Sequence, residues 1–444
     1  MYKRQAFDSG RITYSNTTNT ENYNWEIVRD EEQDTPTHYW EACYKAIASA
    51  NAGIEALDKF IAENEKTHKS TKELYSIKGE ALIARAYAHF MLVNLWGKTY
   101  DPNDLTSLGV PYVFKPETTL LPEYKRNTVS EVYGFIEDDI LTGLEYLTDN
   151  HLGEEQMYYH FNVEAAKAFA ARFFLFKGEW DKVLDYSSNV SSPAGLLRDM
   201  PAYSAMDDDE HSTRYTKAEE VTNLLVATVP STMKRTLGLQ RFNFDNDIAN
   251  SILFGPTTNP MGGAWNFLRY SYTATKGLYM PRFSEFFKIT DPTNMTGFPY
   301  VNQVLFSNDL LFLDRLEALV MENRFDEALT GLSYFFKMRT EGVPQKTTLT
   351  LADIRKHTES MTENFSPFYS LSADQKSFIK VISDARRRES YSDGSRWFDV
   401  RRYNLEIVHR SLERGDNVLT VDDFRRQLQI PLMAISKGLE ANPR

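Results

Sequence analysis

Two stretches of this 444-residue chain constrain its fold most tightly. Residues 162–190, "NVEAAKAFAARFFLFKGEWDKVLDYSSNV", and 314–339, "DRLEALVMENRFDEALTGLSYFFKMR", each run an alanine-bearing helical pattern into a short turn. An aromatic, an acid and a small apolar residue then follow: Trp180, Asp181 and Val183 in the first stretch, Phe325, Asp326 and Ala328 in the second. A small residue at that point lets a second helix lie close against the first, so each stretch predicts a helical hairpin. In the first, the joint falls at Lys177-Gly178 and Asn162 is the predicted cap.

More helices precede them. "YWEACYKAIASANAGIEALDKFIAEN", 39–64, spaces Trp40, Cys43, Ile47, Ala50, Ile54, Leu57 and Ile61 at helical intervals. "KELYSIKGEALIARAYAHFMLVNLW", 72–96, does the same with Leu74, Ile77, Ala81, Ala84, Ala88, Met91 and Leu95, and Gly97 is placed to stop it. Thr128 and Glu131 read as a capping box opening a helix over 128–147. Between these lie thirty proline-punctuated residues without a period, a long loop of the kind that is functional or disordered.

The hairpins resemble tetratricopeptide units, without a strict 34-residue period along the chain. The expected architecture is mainly α: one domain over 1–444, with a helical scaffold at 39–190 and 311–444. Mounted on it is an irregular, loop-rich subdomain at 191–310, expected to bind the ligand, rich in Gly, Pro, Asn and Thr, with short β-like runs such as "NLLVATV".

Chemistry is constrained by what does not appear. "WGKT" at 96–99 lacks the upstream glycine of a phosphate-binding loop, position 92 being Leu. No G-x-S-x-G elbow, H-E-x-x-H pair or Cys/His ligand spacing is present, and the acidic runs at Asp207 and Asp291 match no calcium loop, so neither a metal nor a cofactor is expected. A formal charge of −12 disfavours nucleic acid, and no window is long and apolar enough for a membrane helix. The single Cys43 leaves the compartment open.

One segment stands apart: "ISDARRRESYSDGSRWFDVRRYN", 382–404. Its charges alternate in sign at helical reach, Arg386 with Glu389, Arg396 with Asp399, Asp399 with Arg402, around Trp397 and Phe398. Mixed charge that can pair internally reads as framework, not as a phosphate-binding patch.

The same segment resembles the C-terminal signature of the SusD/RagB family of Bacteroidetes outer-membrane nutrient-binding lipoproteins, through Arg387, Arg388, Glu389, Gly394, Arg396, Trp397, Phe398, Asp399 and Arg401. "KGEALIARAYAHFMLVNLWGKTYD", "LGVPYV", "EACYKAIASANAGIE" and "IPLMAISKGLEANP" are similar to further landmarks of that family, so the resemblance runs from about residue 39 to the end. It implies a SusD-like scaffold and a non-enzymatic protein on the extracellular face of the outer membrane, which captures oligosaccharide for a SusC-like TonB-dependent transporter. The lipid anchor it implies is not read in this chain, since Cys43 lies inside a predicted helix.

Sugar recognition uses aromatic faces with polar side chains at the rim. "WNFLRYSYTATKGLY", 265–279, offers that combination, with Trp265, Asn266, Arg269, Tyr270 and Tyr272 as candidates. Tyr100, Asp101 and Asn103, in the loop after Trp96, form a second group. Packing of these rings inside the subdomain is the competing reading. Peptide capture by a protein of the same architecture, a tetratricopeptide-like adaptor, and a helical glycosidase are the alternative functions.

Overall fold

The structure is a computed structural model and describes residues 7–8, 17–119, 123–203, 205–244, 259–267, 270–271, 277–411 and 414–444. It is mainly α, with short strands and no closed sheet among the described residues. Contacts group the chain into two compact units, one of residues 1–26 with 178–423, the other of residues 27–177 with 424–444.

The unit of 27–177 and 424–444 is built on the helices Pro36–Lys66, Lys72–Trp96, Val129–Tyr146 and Val163–Lys177. Proline at the first position, with the Thr35 hydroxyl accepting from the His38 amide at 3.3 Å, starts the first of them. Its buried face is Trp40, Cys43, Ile47, Asn51, Ile54 and Ile61, close to the predicted stripe. The capping box of Thr128 and Glu131 is formed, and Asn162 Oδ1 accepts from the Ala165 amide at 2.9 Å as the predicted cap.

The Lys72–Trp96 helix has the predicted bounds but not the predicted face. Of the predicted stripe only Ala88 is buried; Leu74, Ala81, Ala84, Met91 and Leu95 are half-buried and Ile77 is exposed, whereas Leu82, Ile83, Arg85, Ala86, His89, Phe90, Leu92 and Val93 are buried. A helix enclosed on most sides has no single apolar stripe to read. It packs tightly on the Val129–Tyr146 helix, where a Cβ on Gly79 would lie 2.7 Å from the Gly143 carbonyl oxygen. Gly97 ends the helix in extended backbone, and a Cβ there would meet the Val93 carbonyl oxygen at 2.8 Å.

In the unit of 1–26 and 178–423, the Asn308–Met321 and Phe325–Lys337 helices form the predicted hairpin. Ala328 is fully buried, and a Cβ on Gly331 would lie 2.4 Å from Leu316 Cδ2. The Ala373–Glu389 helix packs on Asn308–Met321. Strand Asn223–Pro230, which carries "NLLVATV", pairs antiparallel with Thr296–Ser307, and that strand pairs with Ser284–Asp291. A second sheet runs in the order Phe242–Asn243, Phe7–Asp8, Ile407–Ser411, Gly415–Leu419.

The acidic run from Asp207 opens a helix, and the run from Asp291 makes a turn. Asp207 caps the Asp208–Tyr215 helix with Glu210 in a capping box. Asp291 Oδ1 accepts from the Thr293 amide at 2.9 Å at the tip of its hairpin.

Candidate functional site

Most charges of the signature segment pair within its own unit. Arg402 donates Nη1 and Nη2 to the two carboxylate oxygens of Glu317, at 2.5 and 2.8 Å, and Nε to Asp399 at 2.8 Å. Arg386 bonds to Asp314 and, at 3.2 Å, to Glu317, while Arg396 lies 3.5 Å from Asp399. Glu389, expected to pair with Arg386, instead takes Arg339 Nε at 2.5 Å, and Arg339 also donates to Asp309 at 2.6 Å. Helical spacing shows only the partners one turn away, whereas Asp314 and Glu317 come from a neighbouring helix. Burial opposes the ionised Asp399 carboxylate, but Arg402, Arg386 and Arg396 outweigh it and hold its pKa below the usual range. The pairs that Arg402, Arg386 and Arg339 make with Glu317, Asp399, Asp314, Asp309 and Glu389 are structural framework.

Of the aromatic-loop candidates, Trp265 is 7% exposed. Its ring lies under the Arg388 guanidinium, 4.1 Å away, and edge-on to Phe336 at 5.4 Å. The half-buried Asn266 donates its amide to the Arg339 carbonyl at 2.8 Å. Tyr270 sits in a two-residue strand paired with Leu278–Tyr279. Arg269 and Tyr272 lie outside the described residues. In the other unit, Tyr100 stacks on Tyr133 at 4.4 Å, and Asp101 Oδ1 accepts from the amide and side chain of Asn103 at 2.9 and 3.1 Å. Tyr100, Asp101 and Asn103 thus share one tight loop, and none of them lines the groove described next.

That groove, about 630 Å³, lies wholly in the unit of 27–177 and 424–444. Its base is Trp40, Tyr44, Ile47 and Ala48 from the Pro36–Lys66 helix. One wall is Pro111, Val113 and Lys115, continuing to Glu117, Glu123 and Tyr124, and the opposite wall is Pro431, Met433, Ala434, Lys437 and Leu439.

Polar anchors hold both walls. The Tyr44 hydroxyl donates to the Pro111 carbonyl at 2.9 Å, and Asn51 Nδ2 to the Val113 carbonyl at 2.9 Å. Beneath them Arg85 forks onto Asp139, Nε to Oδ2 and Nη2 to Oδ1 both at 2.7 Å, and the Tyr112 hydroxyl donates to Asp139 at 2.5 Å. His89 stacks on Tyr112 at 3.7 Å; its Nε2 accepts from the Val113 amide at 3.1 Å and its Nδ1–H donates to the Arg85 carbonyl at 2.9 Å. Those two bonds assign the neutral tautomer, and burial lowers its pKa to about 3.

The opposite wall hangs on Asn442, whose Nδ2 donates to the Trp96 and Leu428 carbonyls at 2.7 and 2.8 Å and whose Oδ1 accepts from Arg126 at 2.8 Å. Trp96 Nε1 donates to the Gln429 carbonyl at 3.0 Å. This is the physical content of the closing "IPLMAISKGLEANP".

The groove therefore offers ring faces at Tyr44 and Tyr124, an apolar floor, three carboxylates and two ammonium groups. The Tyr124 hydroxyl donates to Glu117 at 2.6 Å, and burial together with that carboxylate raises its pKa to about 12, so it stays protonated at neutral pH. Such a lining suits a neutral polyhydroxylated ring, which needs both donors and acceptors. Its residues come from three distant parts of the chain, and only Trp40 and Ile47 were singled out by spacing, as core.

Residues 2–175 match the family described as SusD-like, starch-binding and associating with the outer membrane. The whole chain is similar in fold to solved structures of that superfamily. A SusD superfamily protein of Bacteroides thetaiotaomicron is 20% identical with a TM-score of 0.65, the match covering 99% of this chain and 92% of that one. A SusD-like carbohydrate-binding protein of Bacteroides vulgatus is 15% identical with a TM-score of 0.59, covering 90% and 82%. A SusD superfamily protein of Parabacteroides distasonis is 15% identical with a TM-score of 0.61, covering 99% and 90%. A comparison with curated proteins returned no match.

Proposed function

We propose that this chain, SusD-like by sequence over residues 2–175 and by fold throughout, binds carbohydrate at the outer membrane without chemically altering it. The observation that carries the reading is the Tyr44–Tyr124 groove, in which aromatic faces, carboxylates and ammonium groups converge between two anchored walls. In this reading an oligosaccharide lies along the groove, its apolar ring faces against Tyr44 and Tyr124 and its hydroxyls shared among Glu41, Glu117, Lys115 and Lys437. The bound glycan is then handed, on the extracellular face, to a TonB-dependent transporter of the SusC type. Both the location and that partner rest on the family resemblance.

Retardation of the purified protein in gels containing different polysaccharides tests the function directly. Retardation by one glycan class, with the polymer recovered intact, is the expected result. Release of reducing ends, or retention only by peptides, would overturn it.

A further inference from the structure

The unit of 1–26 and 178–423 contains a second cavity, about 370 Å³, of opposite electrostatic character. The cavity lining includes Phe242, His409, Trp25 and Trp397, four rings of a stacked column that Tyr23 completes from behind: Phe242 on Tyr23 at 3.9 Å, Tyr23 on His409 at 4.2 Å, His409 on Trp25 at 4.3 Å, and Trp25 on Trp397 at 5.6 Å. Successive planes differ by 15°, 2°, 11° and 24°. Tyr279, Tyr391 and Arg396 also line it.

Two features of this cavity are not explained by packing. The left-handed backbone of Trp25, φ +59°, is not one of them: it caps the Thr17–Tyr23 helix, with the Trp25 amide donating to the Asn22 carbonyl at 3.2 Å and the Glu26 amide to the Glu21 carbonyl at 2.8 Å. First, Trp25 Nε1 is buried without a hydrogen-bond partner among the described residues.

Second, Arg396, 7% exposed, spends Nη1 on the Ser383 carbonyl and hydroxyl at 3.2 and 2.7 Å. Its Nε and Nη2 have no hydrogen bond among the described residues, and the carboxylates of Asp399 and Glu363 stand at 3.5 and 4.0 Å. A buried donor left unmade is costly, and a guanidinium edge matches a carboxylate.

The lining includes Arg396 and Arg387, the latter paired with Asp384, and no Asp or Glu among the described residues, in a chain whose net charge is −12. His409 adds no charge at neutral pH, because burial lowers its pKa to about 4. We propose that this cavity is a second ligand site, distinct from the groove, and that it takes a six-membered sugar ring bearing a carboxylate, a uronate residue. The edges of the stacked rings pack against the C–H groups of the pyranose, Arg396 receives the carboxylate, and Trp25 Nε1 donates to a ring hydroxyl. The volume lies within the roughly 300–1,000 Å³ range of small-molecule sites.

The test is calorimetric titration of the protein with galacturonate and digalacturonate, against galactose and benzoate. Uronate is expected to bind, to weaken with added salt, and to outbind galactose by about tenfold or more, the scale of one charge-assisted hydrogen bond. Arg396→Gln should remove that preference. Trp25→Gly, which keeps a residue suited to the left-handed backbone, should lose uronate binding while still folding, and serves if the arginine variant does not fold. Tyr124→Ala, in the groove, should leave uronate binding unchanged, which separates failure of this site from failure of the groove. Equal binding of galactose, tighter binding of benzoate, or uronate binding that survives Trp25→Gly would overturn the proposal.

Discussion

Arg402 and Glu317, separated by 85 residues in the chain, face each other as a two-pronged ion pair, with Nη1–Oε1 at 2.5 Å and Nη2–Oε2 at 2.8 Å. The Glu317 side chain is fully buried and that of Arg402 is 5% exposed. Neither charge reaches water, so either one left alone is an uncompensated charge in a low-dielectric interior. Glu317→Ala is expected to destabilise the protein by about 3–5 kcal/mol in denaturant unfolding, and Arg402→Ala by a similar amount. The double variant should cost much less than the sum of the two, the mark of a coupled pair.

The Gly79–Gly143 crossing has no spare volume. Gly143→Ala drives a Cβ to 2.9 Å from Ile83 and 3.0 Å from the Gly79 carbonyl oxygen, a backbone atom that cannot rotate aside. The expected cost is about 1–3 kcal/mol, with a lowered melting temperature. Gly134→Ala, on the same helix with no atom near the added methyl, is the control and should be neutral or slightly stabilising.

Three histidines are buried in neutral form. Burial lowers His89 and His211 to about 3 and His409 to about 4, with the Arg85 carbonyl bond opposing it at His89, Arg282 reinforcing it at His211 and the Tyr23 carbonyl bond opposing it at His409. Unfolded histidine titrates near 6.5, so between about pH 6.5 and 4 the unfolded chain holds protons that the folded one does not. Stability should therefore fall as pH drops through that window. Unfolding at pH 7 and pH 5 measures it, and His89→Gln should flatten the slope.

Trp265→Ala removes a ring packed between Arg388 and Phe336, and its main effect should be a stability loss of about 3–5 kcal/mol. Thermal melts of the variant check this. A variant that melts like the parent yet loses glycan binding would place Trp265 in the binding surface.

How far the chain could be read depends on the range of each interaction. Helix bounds at Lys72–Trp96, the Thr128 capping box and the Asn162 cap were legible because each is set by residues within about one turn. The mixed charges of 382–404 were legible as framework, but Arg386 finds Asp314 and Glu317 on another helix, a pairing that spacing does not encode. The aromatic run from Trp265 carries the same letters whether its rings face solvent or pack inward, and the structure packs Trp265 inward. The Tyr44–Tyr124 groove needed the fold itself, since Tyr44, Tyr124 and Met433 meet only through the anchors at Arg85 and Asn442.

The groove is the centre of the account, and titration of the best-retained oligosaccharide into the parent protein and into Tyr44→Phe, Tyr124→Ala and Lys437→Ala tests it most directly. Tyr124→Ala is expected to weaken binding by about tenfold or more with an unchanged melting temperature, as loss of one stacked ring requires. Lys437→Ala should weaken it less, and Tyr44→Phe should loosen the Pro111 wall. Full affinity in Tyr124→Ala and Lys437→Ala alike would contradict the account and move the carbohydrate elsewhere on the protein.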